Sequence, residues 1–139
     1  MPLLHRIAAT TAAACSLLAA PGAQAYDLQF RQNNSPLNGT QLQQAFNRGL
    51  PRVYDQQFPD RQWTTYLLLD AHPDQGLVAI TIGLSPRVGP SKALLPIATF
   101  SALQPIPANS EQWIQLVAQA ANSYGNNMLL NRARIMTQR

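Results

Sequence analysis

The chain has 139 residues, 10 basic against 6 acidic side chains, a net charge of +4 and a single cysteine, Cys15. That length suffices for one domain with a real core. Residues 26–139 hold no cysteine, which excludes disulfides, thiol catalysis, zinc fingers and iron–sulfur clusters from that part of the chain.

The first 25 residues read as an export leader. Met1 to Arg6 carries the free amine and a basic side chain, "IAATTAAACSLLAA" is an uncharged apolar run, and Pro21-Gly22 and "AQA" lead into Tyr26. Those are the three regions of a secretory signal peptide, and the apolar run falls short of the ~20 residues a membrane span needs. Cleavage after Ala25 is expected, leaving 26–139 as a single domain in a bacterial periplasm or secreted fraction. A lipid anchor on Cys15 is the weaker alternative, since Ala12 stands where lipoprotein signals usually carry leucine.

The remainder is taken in chain order. "YDLQFRQ" alternates Tyr26, Leu28 and Phe30 with polar residues, the period of a half-buried strand. "NNSPLNGT" is a loop by composition, and Thr40 is placed to cap a helix with the apolar stripe Leu42, Ala45, Phe46. Pro51 can open a short helical turn carrying Val53, Tyr54 and Phe58. Residues 63–71 and 77–85 are strands by their β-branched and aromatic content. "ALLPIATFSAL" reads as a third strand at a sheet edge, because Pro96 cannot donate to a ladder. Asn109 or Ser110 then caps the main helix, with the stripe Trp113, Leu116, Val117, Ala120, Tyr124, and Gly125 is its expected stop. Residues 128–139 fit a helix or a strand equally. The whole is an α+β class domain: a mainly antiparallel sheet of about four strands with two helices packed on one face.

"HPDQGL" between the two clearest strands fits a four-residue hairpin loop, Pro73 to Gly76. Proline pre-sets its first position, and glycine supplies the left-handed residue at its end. That loop fixes the register: His72 opposite Leu77, then Ala71 and Val78, Leu69 and Ile80, Leu67 and Ile82, Thr65 and Leu84. One face becomes wholly apolar. The other carries Thr64, Tyr66, Leu68, Asp70 and His72, with Tyr66 opposite Gly83.

Candidate chemistry is sparse. Asp70 and His72 lie two apart on one strand face, and Asp74 sits in the loop beyond them, so these three form the candidate metal or acid/base set. Zinc sites usually draw three or four ligands, mostly His and Cys, and His72 is the one histidine after residue 25. No G-x-S-x-G elbow is present, Ser91 and Lys92 are adjacent and point apart in a strand, and "SPRVGPSK" lacks phosphate-loop spacing. The acidic residues fall in predicted turns and a cap, and the Trp113–Tyr124 stripe reads as core.

The sequence therefore points to a non-catalytic, exported, protein-binding protein without a cofactor: an inhibitor, an immunity-type protein or an envelope-assembly factor. Arginines are scattered except Arg132 and Arg134, unlike the concentrated basic face of a nucleic-acid binder. The expected partner is another protein, and a homodimer is compatible with the edge strand. Its contacts are expected at Arg87, Val88 and Lys92 in the loop after the hairpin, with Arg132 and Arg134. The competing reading is a minimal metal-binding protein or hydrolase using Asp70, His72 and Asp74.

Overall fold

In the computed structural model, which describes residues 26–90 and 94–138, elements follow the chain in a simple order. They are strand Asp27–Asn33 (β1), helices Gly39–Gly49 (α1) and Tyr54–Gln57 (α2), and strands Trp63–His72 (β2), Leu77–Pro86 (β3) and Ala98–Pro105 (β4). Helices Ser110–Leu130 (α3) and Arg132–Met136 (α4) complete it. Residues 1–25, where a signal peptide with Cys15 is expected, and Lys92 with its two neighbours, lie outside the described residues.

The central hairpin sets the sheet. His72 faces Leu77, Ala71 faces Val78, Leu69 faces Ile80, Leu67 faces Ile82 and Thr65 faces Leu84, the register the Pro-Asp-Gln-Gly loop implies. Inside the loop the Gln75 N–H donates to the His72 carbonyl at 3.0 Å. Gly76 takes a φ of 67°, which is why glycine stands there. Tyr66 lies against Gly83, where an added Cβ would fall 2.1 Å from its ring.

The strand order is β1-β2-β3-β4, and the sheet is mixed: β1 runs parallel to β2, while the other two ladders are antiparallel. The parallel pair corrects a reading based on hairpins alone. The chain between β1 and β2 carries α1 and α2, and a helical crossover returns a strand in the direction it left.

Other boundaries move for local reasons. Asn38, not Thr40, caps α1: its side chain accepts from the Gln41 N–H at 2.8 Å, and the Gln41 side chain accepts from the Asn38 N–H at 3.0 Å. Leu42, Ala45 and Phe46 are the buried stripe of α1, Tyr54 and Phe58 are buried, and Val53 is exposed. Pro96 lies before β4 rather than in it. There the Leu95 N–H donates to Ser85 Oγ at 2.8 Å and the Ile97 N–H to the Leu84 carbonyl at 2.9 Å, which steers the chain into the ladder at Ala98. Asn109 caps α3 by accepting from the Gln112 N–H at 2.9 Å.

Gly125 does not stop that helix. It is buried within α3, and a Cβ there would fall 2.3 Å from Pro51 Cδ, so its role is close approach to the α1–α2 connection. The helix ends at Leu130, and the tail continues as α4.

One side of the sheet contributes Leu67, Leu69, Ala71, Val78, Ile80, Ile82 and Leu84 to the core, joined there by Leu42, Phe46, Trp113, Val117 and Tyr124. Burial of each such side chain is worth roughly 1.5–3 kcal/mol before chain entropy is charged against it. Tyr26, Phe46, Tyr54, Phe58, Trp63 and Tyr124 form a chain of ring contacts with centroids 5.1 to 6.4 Å apart. At its centre the Tyr54 hydroxyl meets Thr65 Oγ1 at 2.7 Å and the Tyr124 hydroxyl at 2.6 Å. That bridge satisfies three polar groups that would otherwise be costly to bury.

Candidate functional site

Strand alternation and register together lay out the second side of the sheet as cross-strand rows. From one end they are Asp27–Thr64–Ser85, Gln29–Tyr66–Gly83–Thr99, Arg31–Leu68–Thr81–Ser101, Asn33–Asp70–Ala79–Leu103 and His72–Leu77–Pro105.

The first row is closed. Asp27 Oδ2 accepts from Thr64 Oγ1 at 2.9 Å and pairs with the Arg87 guanidinium at 2.7 Å. The Arg87 N–H donates to the Gln62 carbonyl at 2.9 Å, and Ser85 is fully buried under the bond from Leu95. The loop after β3 is thus pinned over this end. Arg87, expected from sequence as a contact residue, is engaged within the chain, whereas Val88 is 58% exposed beside it.

In the second row Tyr66 and Gly83 are still buried, and among the described residues the face opens from the Arg31–Leu68 row onward. Leu68 is 43% and Leu103 61% exposed, although both stand in regular strands. Around them are Arg31, Asn33, Thr81 and Ser101, the last two with hydroxyls 3.3 Å apart. Arg31, Asn33, Leu68 and Asp70 line a shallow depression of ≈ 500 Å³ along the β1–β2 seam. Removal from water raises the Tyr66 phenol above its ordinary value, as expected for a ring lying flat on the sheet.

Asp70 and His72 meet as alternation implies, with His72 Nε2 3.3 Å from Asp70 Oδ2. The other carboxylate oxygen accepts from Asn33 Nδ2 at 3.0 Å, so the pair is held by β1. Asp74 stays in the hairpin loop and does not join them. Among the described residues no three His, Cys, Asp or Glu side chains gather as a metal site. The Thr81–Ser101 hydroxyl row lies two residues from Asp70 and four from His72 along β2, about 7 and 13 Å at ~3.3 Å per residue. What the Asp70–His72 pair offers is a hydrogen-bonding edge to the depression.

Arg132 and Arg134 are exposed on α4. Arg134 lines a cleft of ≈ 280 Å³ with Ile97, Thr99 and Asn131. Sequence reasoning did not single out Leu68 and Leu103. A signal was present for Leu68, an apolar residue in phase with Asp70 and His72 rather than with the core positions. No such signal marked Leu103, because the limits of its strand were displaced by Pro96. No family model, no curated protein and no solved structure matches the chain.

Proposed function

We propose that this is a small exported, non-catalytic protein that binds another protein on the open face of its sheet, the side away from its two main helices. The observation that carries this reading is two exposed leucines on one face, Leu68 of β2 and Leu103 of β4, set in rigid strands with Ala79 and Thr81 of β3 between them and Arg31 and Asn33 at the β1 side. An apolar centre with an arginine- and amide-bearing rim is the composition of a specific protein interface. Strands hold such a patch in place before binding, so little ordering entropy opposes association. The leader at 1–25 supports export, and the open face would then meet its partner outside the cytoplasm.

This places the main contact on the sheet rather than on the loop residues Arg87 and Val88 or on Arg132 and Arg134. Leu68→Arg tests it, with the expressed chain as bait against its native envelope fraction. The variant should keep its melting temperature, since exposed substitutions stay within about ±0.5 kcal/mol, and should lose a partner that the unmodified chain retains. Equal retention by both proteins would refute the assignment of the face.

A further inference from the structure

We propose that the free edge of β4 pairs with the same edge of a second copy, antiparallel about a twofold axis at Ser101, to make one continuous eight-stranded sheet.

The argument starts from backbone direction. The Ile106 N–H donates to the Gly76 carbonyl at 3.0 Å, one step beyond the Leu77–Pro105 pair and in phase with the ladder. In an antiparallel ladder, hydrogen-bonded pairs alternate with unbonded ones. The even-numbered residues of β4 therefore bond β3, and Thr99, Ser101 and Leu103 turn their N–H and C=O groups to the free edge. Proteins usually blunt such edges with charge, proline or a bulge. From Ala98 to Gln104 this strand has neither charge nor proline, whereas β1, the opposite edge, carries Asp27 and Arg31.

The twofold at Ser101 uses all of the edge-directed groups of those three residues. Ser101 bonds its own copy, and Thr99 bonds Leu103 in both directions. Pro105, which has no N–H, marks where pairing ends. Side chains agree with this register: Leu103 lies beside Thr99 on the open face, and Phe100 beside Ala102 on the core side.

Charge selects a second copy as the occupant. Glu111, in the first turn of α3, follows the end of β4 by six residues of chain, whereas Arg134 lines the cleft where β4 begins, with Ile97 and Thr99. Antiparallel pairing sets the end of one strand beside the beginning of the other, so the Glu111 end of each copy meets the Arg134 end of its mate. Between them the flank is uncharged: Phe100, Ala102 and Gln104 face Leu116, Gln119 and Ser123 across a cleft of ≈ 150 Å³. A β4 pair would extend the cover over the half-buried Phe100 and Leu116. This inference does not depend on the open-face reading, because it uses the edge rather than the face.

Single cysteines read the register directly in the full chain carrying Cys15→Ser. Paired residues at Ser101 place their Cα atoms about 5.5 Å apart, within the ~4.4–6.8 Å that a disulfide spans. Ser101→Cys should cross-link nearly completely under mild oxidation. Thr99→Cys or Leu103→Cys alone should not, their copies being over 10 Å apart at ~3.3 Å per residue, while the Thr99→Cys/Leu103→Cys double variant should. Light scattering across a concentration series supplies the second measurement: the chain should dimerise, and Ser101→Pro, which removes an edge-directed N–H together with the exposed hydroxyl contact to Thr81, should melt as a folded monomer. Arg134→Glu should weaken the dimer at least tenfold, and adding Glu111→Arg should restore it. A chain that stays monomeric at every concentration, a dimer that survives Ser101→Pro, or equal cross-linking at positions 99, 101 and 103 would each overturn the proposal.

Discussion

The Tyr54 hydroxyl is the polar keystone of the core, bound to Thr65 Oγ1 and to the Tyr124 hydroxyl. Tyr54→Phe leaves two buried hydroxyls short of a partner, and denaturant titration should show a loss of about 1–3 kcal/mol, the cost of unsatisfied buried polar groups. The same site sets an alkaline limit. Burial, partly offset by hydrogen bonds from Thr65 and Tyr124, pushes the Tyr54 phenol from its ordinary 10.0 up to about 12. Burial and the neighbouring Tyr54 drive Tyr124 well above its ordinary value too. Below pH ~10 both phenols are neutral whether the chain is folded or not, so their contribution is fully present. Above that, the unfolded chain loses protons that the native one keeps, and stability falls as pH climbs towards 12. Phenolate absorbance should therefore rise together with unfolding. A reversible rise near pH 10 in the folded protein, for all its tyrosines, would contradict this. At the surface, Arg87 joins Asp27, which also takes the Thr64 hydroxyl. Being part-exposed, the pair should contribute no more than about 1 kcal/mol, so Arg87→Ala should lower the melting temperature slightly and loosen the loop.

Glycines decide how the elements meet. A Cβ at Gly49 would lie 1.8 Å from the Ala118 carbonyl oxygen, a backbone atom that cannot turn aside. Gly49→Ala must therefore push α1 off α3, and chemical melts should show a loss of about 1–3 kcal/mol or more, the range for overpacked sites. Gly125→Ala meets the Pro51 ring and Leu50 and should also destabilise, although alanine ordinarily improves a helix interior by up to ~1 kcal/mol over glycine. That reversal explains why the end of α3 was misread. The stop signal of Gly125 is local, whereas its reason for being glycine lies across the core on the α1–α2 connection. The hairpin register, by contrast, was fully legible, because Pro73, Gly76 and the alternation on either side all lie within one short stretch. The parallel pairing of β1 was not, since nothing local reports which neighbour a strand finds after a crossover. Asp70 and His72 could be placed together from their spacing alone, but their third partner, Asn33, comes from that same parallel strand.

At the scale of the whole molecule, the sheet has one side committed to the core, while the other, among the described residues, is closed over its Asp27–Ser85 end and the neighbouring Tyr66–Gly83 pair. The exposed leucines stand beyond that closure, on strands that cannot fold away to hide them. Singly scattered surface leucines are ordinary, whereas a shared apolar patch marks a contact surface, so a binding role requires Leu68 and Leu103 to engage one partner together. Site-specific photo-cross-linking in the native cell tests that central claim most directly, with the probe at Leu68, at Leu103 and, as a control, at exposed Gln115 on α3. Besides any second copy of the chain caught at Leu103, probes at Leu68 and Leu103 are expected to capture one other protein in common, and the probe at Gln115 to leave it free. Capture at Gln115 as efficient as at Leu68, or no capture at either leucine, would contradict a binding role for the open face.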